Sequence, residues 1–155
     1  MVGVLNDYDL SSTNTAPKER ERTGTVPFMA IDLLSPEAMS GNVEHLYQHD
    51  AESFIWVLTW VCLRYQDGVL LRHGRPLDSW LTVNALGCQE KKTNFNSVGR
   101  HSVKPTSSHE SNWPIAQSCL KIVYVHYGEP RLALKVEDVF NTWFADVVPS
   151  RIKST

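Results

Sequence analysis

His45-Leu46-Tyr47-Gln48-His49 sets two histidines at i and i+4, a spacing that a helix can bring to one metal ion. The zinc-hydrolase arrangement also needs a glutamate directly after the first histidine as general base, and Leu46 stands there instead. No third ligand is evident, so hydrogen-bonding or surface histidines are the better reading. His73, His101, His109 and His126 are isolated. Cys62, Cys88 and Cys119 lie far apart with no Cys-x-x-Cys pair, which reads as reduced thiols of an intracellular protein. A Ser, Thr or Cys nucleophile needs a base and a group that orients the base. No Gly-x-Ser-x-Gly run marks one, and Gly24, Gly41, Gly68, Gly74 and Gly87 are too scattered to cradle a phosphate. Taken singly, these residues form no self-contained catalytic constellation.

The chain around them has 155 residues, with 15 Lys plus Arg against 17 Asp plus Glu and a formal charge of -2. That length suits one domain or a large piece of one, and it can bury a core. With 42% apolar and 10% aromatic residues the chain is not disordered throughout. The balance of charge argues against nucleic acid or an anionic membrane as partner, and Arg151 and Lys153 are too few to alter that. The longest apolar run, Phe54 to Leu63, is interrupted by Thr59 and falls well short of the ~20 residues of a membrane span. Asn6, Asp7 and Asp9 break the opening apolar run at once, so no signal peptide is expected. A soluble intracellular protein of undetermined compartment follows as the expectation.

Val2 to Leu5 reads as a short strand that stops at Asn6-Asp7-Tyr8-Asp9, and no partner strand is evident nearby. Ser11 to Thr25 is a polar loop with the charge run Lys18 to Arg22. Pro27 to Leu34 is a compact apolar stretch around one acid, Asp32, which suits a short helix ended by Ser35-Pro36. Asp50 to Tyr65 is the strongest helix: Asp50 can cap it and Glu52 lies in its first turn. It is apolar on nearly every side past Phe54, so other elements should surround it as the axis of the domain. Gln66-Asp67-Gly68 closes it, and Gly74-Arg75-Pro76 marks the next loop. Leu77 to about Ala85 is a helix candidate, and polar Gln89 to Asn112 reads as loop. Trp113 to Tyr127 suits a helix, although Ile122 to Val125 is equally strand-like. Val136 to Val148 repeats at three and four and ends at Pro149, an amphipathic helix. A mainly α fold with little or no sheet is expected.

The order of three segments carries more than any of them alone. First comes Leu5-Asn6-Asp7-Tyr8-Asp9-Leu10. After the polar loop comes Arg22-Thr23-Gly24-Thr25-Val26-Pro27-Phe28-Met29-Ala30-Ile31-Asp32-Leu33, and His49-Asp50-Ala51-Glu52-Ser53-Phe54 then opens the apolar helix. This order resembles the C-terminal lobe of a eukaryotic protein kinase. It is most similar to the fungal-type protein kinase family, with its Arg-Thr-Gly-Thr-x-x-Phe-Met and His-Asp-x-Glu-Ser-Phe motifs.

The resemblance implies a role for each matching residue. Asp7 matches the acid of Asp-Phe-Gly, which holds Mg²⁺ against the nucleotide phosphates, a task for a hard oxygen ligand. Tyr8 matches the aromatic packed beneath that acid, and Asp9 replaces the glycine. Residues 7 to about 34 match the activation segment. Within it Thr25 matches the Gly-Thr position near the substrate hydroxyl, beside Thr23, Gly24 and Phe28. Ala30-Ile31-Asp32 matches Ala-Pro-Glu with both later positions altered, which puts the usual ion pair of that acid with an arginine in question. Asp50, followed by Ser53, matches the helix-start acid that braces the catalytic loop. Thr13, Thr15 and Thr23 are candidate loop phosphosites.

Phosphoryl transfer depends on positioning and electrostatics, so every part matters. In a kinase the Gly-rich loop, the ATP-contacting Lys, its Glu partner and the His-Arg-Asp catalytic loop precede the Asp7 strand, and none is found in this chain. Residues 1–150 therefore read as part of a kinase-like domain, cut just upstream of its Mg²⁺-binding acid, with 151–155 as a tail. Mg²⁺ and ATP belong to a complete family member. Neither is expected to bind this chain alone, which is expected to be inactive. The partner is a protein substrate or docking protein. Two classes of function remain open: a phosphotransferase lobe, or a non-catalytic, pseudokinase-like interaction module.

Overall fold

In the computed structural model of the chain, residues 25–128 are described. The strand at Val2 to Leu5, the loop up to Gly24 and the helix at Val136 to Val148 lie outside these residues. Two single-turn 3-10 helices open the described part, Val26–Phe28 and Ile31–Leu34, so the short helix expected after Pro27 is a pair of tighter turns. Ser35-Pro36 does not simply end them. It begins α1, Pro36–Met39: the Ser35 hydroxyl accepts the Ala38 N–H at 3.2 Å, and Pro36 takes a first-turn position where no N–H is needed.

The central helix is α2, Tyr47–Arg64. It starts three residues earlier than expected, with Leu46 at the N-cap position. Asp50 is therefore not the cap but a first-turn acid, whose carboxylate pairs with His45 Nε2 at 2.9 Å. The His49 ring supplies the missing acceptor, taking the Leu46 N–H on Nδ1 at 3.0 Å. Residues 49, 52, 55, 56, 59, 60 and 63 face inward, the three-and-four spacing of a buried stripe. The opposite side is a correction to the sequence reading. Phe54 is 74% exposed and Val57 39%, so among the described residues this helix is covered on one face and not all round.

α2 ends in a hairpin of two short antiparallel strands, β1 (Tyr65–Gln66) and β2 (Val69–Leu70). Asp67 and Gly68 both take positive φ, at 51° and 78°, as a two-residue turn matched to strand twist requires. The helix expected over Leu77 to Ala85 is absent. Leu77 sits in the left-handed region with φ 67°, and only the single turn Asp78–Trp80 follows. The helix lies further on, in the stretch read as loop: α3, Ala85–Ser97, with the Asn84 side chain accepting the Gly87 N–H at 2.9 Å as its cap. Its inward residues are Cys88, Lys92, Phe95 and Asn96. Two of those four are polar, which hides the apolar period. Asn96, with its amide nitrogen turned toward Leu120, donates to the Leu120 carbonyl at 2.9 Å and accepts the Tyr124 N–H at 3.0 Å.

Single turns at Gly99–His101 and Ser107–His109 lead to α4, Trp113–Gly128. This settles the helix-or-strand alternative: Trp113, Ala116, Leu120 and Val123 are buried at helical spacing, and α4 packs on α2 and α3. Edge-to-face rings fill the core, with Trp56 on Trp80 at 5.6 Å and Trp80 on Phe95 at 5.7 Å between centroids. The described part is thus mainly helical. No helix in it is long and apolar enough to cross a membrane.

Leu120 is fully buried between these helices, whereas Leu86 on α3 is 46% exposed. Leu120→Ala is expected to lower the unfolding free energy by about 2–5 kcal/mol. Leu86→Ala should change it by less than about 0.5 kcal/mol in the same urea titration.

Candidate substrate-facing segment and its anchor

The segment from Thr25 to Leu34 contains three of the candidate site residues, Thr25, Phe28 and Asp32. Asp7, Thr23 and Gly24 lie outside the described residues. Two prolines, Pro27 and Pro36, and the tight turns between them leave few backbone groups paired within the segment itself. Side chains from three helices supply the rest. The Ile31 N–H donates to Glu52 Oε1 at 2.9 Å, and the Ile31 carbonyl accepts from Gln89 Nε2 at 3.0 Å. Lys92 Nζ donates to the Met29 carbonyl. The Asp32 N–H donates to the Tyr127 hydroxyl at 3.3 Å, and Cys88 Sγ approaches the Val26 carbonyl at 3.9 Å. Buried backbone groups are rarely left unpaired, and here α2, α3 and α4 share the pairing.

Glu52 is the centre of this arrangement. Its Oε1 also accepts the Trp56 indole N–H at 2.9 Å, and its Oε2 accepts the Tyr127 hydroxyl at 2.7 Å. Burial pushes the carboxyl above its usual range, against the hydrogen bonds from Tyr127, Ile31 and Trp56 and the Lys92 charge. The Lys92 ammonium lies over the Trp56 ring at 4.7 Å and the Trp80 ring at 5.6 Å. Burial brings its pKa down to about 7, partly offset by Glu52 and Cys88. Burial, with the Glu52 and Asp32 charges, likewise drives the Tyr127 hydroxyl far above its ordinary value, so it stays a donor to Glu52. The three cysteines are free and buried, and burial raises each thiol, which leaves them poor nucleophiles.

The expected site residues take different places. Thr25 is exposed, and its carbonyl accepts the Phe28 N–H at 2.8 Å. Phe28 is half-buried and meets Trp60 edge-to-face at 5.3 Å. Asp32, the one acid of this apolar stretch, is half-buried and forms no ion pair among the described residues. The enclosed acid is Glu52, 5% exposed. Asp50 is turned outward to His45, and the Ser53 hydroxyl donates to the His49 carbonyl at 2.9 Å within its own helix. Neither reaches the segment. The His45 and His49 rings stack at 5.8 Å, and no group of three metal-ligating side chains forms among the described residues.

Gln89, Lys92 and Tyr127 were not singled out from sequence, and Glu52 stood out only as a first-turn acid and a member of the motif that opens the central helix. The available signal was register: Glu52 falls on the same stripe as Trp56 and Thr59, and Lys92 sits between Cys88 and Phe95. A charged residue in a stripe that faces the core marks either a buried pair or a wrong register.

Comparison with known proteins bears on the same stretch. Residues 2–62 match the family model described as fungal protein kinase. The match covers less than half of the chain. The match takes in Asp7, the whole Thr25–Leu34 segment and Glu52, and stops inside α2. The partners that α3 and α4 bring to the segment lie beyond the fungal protein kinase match. No curated protein matches the chain. No solved structure matches it.

Two outcomes test the anchor. Glu52→Leu leaves the Ile31 and Trp56 N–H groups and the Tyr127 hydroxyl without their acceptor. It should lower the unfolding free energy by about 3 kcal/mol or more, at about 1–3 kcal/mol per orphaned group. Glu52→Gln keeps the shape and most acceptors and should lose less; equal losses in urea titrations would count against the anchor. The second outcome concerns pH. Unfolded lysine titrates near 10.4, so between pH of about 7 and about 10 the unfolded state binds the extra proton. Wild-type stability should therefore rise with pH across that window as the cost of a buried ammonium fades. Lys92→Met should flatten the rise.

Proposed function

We propose that this chain is the C-terminal-lobe part of a fungal-type protein kinase and that Thr25–Leu34 is the substrate-side end of its activation segment. The observation that carries this is the five-point hold on the main chain of residues 26–32 by Cys88, Glu52, Gln89, Lys92 and Tyr127. A surface that positions a hydroxyl for in-line transfer must be fixed before the substrate arrives, because misplacement by about 1 Å can cost on the order of 10²-fold in rate. Here the backbone is fixed from beneath while Thr25 stays exposed on the outer side.

The chain's own residues divide that work. Glu52 and Tyr127 set the turn at Ile31 and Asp32, Lys92 and Gln89 hold the carbonyls of Met29 and Ile31, and Phe28 wedges against Trp60. Thr25, at the exposed end, would lie beside the accepting hydroxyl of a protein substrate. Mg²⁺ would neutralise charge on the transferred phosphoryl group. Asp7 is the residue in line to hold it, and the described residues provide no three-ligand site for the ion. The 155 residues contain no match to the Gly-rich loop, the ATP-contacting lysine or the catalytic-loop base, so the chain alone should not transfer phosphate.

The exposed Phe54 and Val57 on α2 favour a second reading, a non-catalytic module whose partner covers that face.

Two phosphotransfer assays with ATP, Mg²⁺ and a general protein substrate test the proposal. The purified chain should show no turnover above its Asp7→Ala variant; clear excess turnover would refute inactivity. A chimaera with the Gly-rich loop through the catalytic loop of a fungal kinase fused ahead of residue 1 should gain turnover that Asp7→Ala removes. A folded chimaera without turnover would favour the non-catalytic module.

A further inference from the structure

A second feature lies away from the anchored segment, where the single turn Gly99–His101 meets the first turns of α4. Arg100, His101, Pro114, Gln117, Ser118 and Lys121 line an open cleft of about 440 Å³ there. The lining includes two permanent cations and a histidine, and no carboxylate. Surface cations usually find an acid nearby, yet neither Arg100 nor Lys121 forms an ion pair among the described residues.

Arg100 is also held in place. Its guanidinium carbon lies 5.1 Å from the Tyr124 ring, a cation-π contact that orients the fork without using its outer nitrogens. Its Nε is buried and has no hydrogen-bond partner. A half-buried guanidinium stacked on one side and unneutralised on the other is favourably set for an anion. Planar N–H donors suit phosphate oxygens, and the exposed Lys121, about two turns into the helix, adds a point charge.

We propose that this cleft binds a phosphorylated side chain of a partner protein. A phosphate monoester carries about -1.5 to -2 at neutral pH, which matches the Arg100 and Lys121 charges. The cleft falls in the size range of organic-ligand sites, far larger than one phosphate group needs. Pro114 and the Gln117 carboxamide border the remaining space, which suits a peptide backbone beside the phosphate. The net charge of -2 and the presence of only two permanent cations at the cleft set this apart from a nucleic-acid surface. The inference does not depend on the kinase reading, because it concerns binding and not transfer.

Isothermal titration of the full chain at low salt tests it. The probes are a phosphoserine peptide flanked by glycine and alanine, its unphosphorylated twin, and inorganic phosphate. The phosphopeptide should bind at least about tenfold more tightly than either of the others. Lys121→Gln, at an exposed position that should leave the fold intact, and Arg100→Gln should each remove most of that preference, with circular dichroism unchanged for Lys121→Gln. Equal binding of the two peptides would overturn the proposal. So would a preference that survives both variants, or inorganic phosphate that binds as tightly as the phosphopeptide, which would mark a free-anion site.

Discussion

One carboxylate, that of Glu52, ties together the polar groups of three parts of this structure that already share an apolar core. Its two oxygens accept from a backbone N–H at Ile31, an indole on its own helix and a phenol on α4. A buried acid is tolerable only when its lone pairs are occupied, and here three donors occupy them. The geometry therefore works in both directions. The donors stabilise the acid, and the acid dictates where a turn of the Thr25–Leu34 segment and the end of α4 must lie. Tyr127 passes the constraint on, since the same oxygen that donates to Glu52 accepts from Asp32.

The other buried charges follow the same logic with aromatic faces added. Lys92 is enclosed between Trp56 and Trp80, and Arg64 lies 3.7 Å above the Trp60 ring. Arg64 also donates to the Pro76 carbonyl at 2.8 Å and to Asp78 at 2.6 Å, which fixes the loop after the hairpin. Partial desolvation raises the Asp78 carboxyl, but its hydrogen bonds and ion pairs with Arg64 and Arg75 hold it below the ordinary carboxylate range. Tryptophan is the common partner in these contacts. Its wide face stabilises a cation that has left water, and its edge packs against the next ring. That gives the richness of the chain in tryptophan a structural use beyond filling volume.

Much of this was readable from the residues. The central helix, the α4 helix and the mainly α class follow from apolar spacing, and the ordered Asp7, Thr23–Phe28 and His49–Phe54 motifs lead to the family whose model residues 2–62 match. α3 was not readable in place, because Lys92 and Asn96 occupy two of its inward positions and leave a pattern that resembles a loop. The false helix before it arose from Trp80, Leu81 and Ala85 at helical spacing, a local period that Leu77 interrupts by turning left-handed. At the candidate site the sequence pointed to Thr25, Phe28 and Asp32, which all lie on the anchored segment. The side chains that hold them were missed, since a buried acid or lysine gains its meaning only from partners on other helices. Asp50, the other motif residue, faces solvent and pairs with the adjacent His45.

The sequence distances within the anchor have a consequence in time. Glu52 is 21 residues from Ile31, Lys92 is 63 from Met29, and Tyr127 is 95 from Asp32. Contacts that close long loops form late, after the local helices. At a synthesis rate of about 5–20 residues per second, the Ile31 turn is made on the order of 5–20 s before Tyr127 is made. Throughout that interval its backbone must be solvated or held by something else. The Tyr127 contact is thus the last of the anchor to become possible, so the birth order of the helices governs when the Thr25–Leu34 segment is fully held.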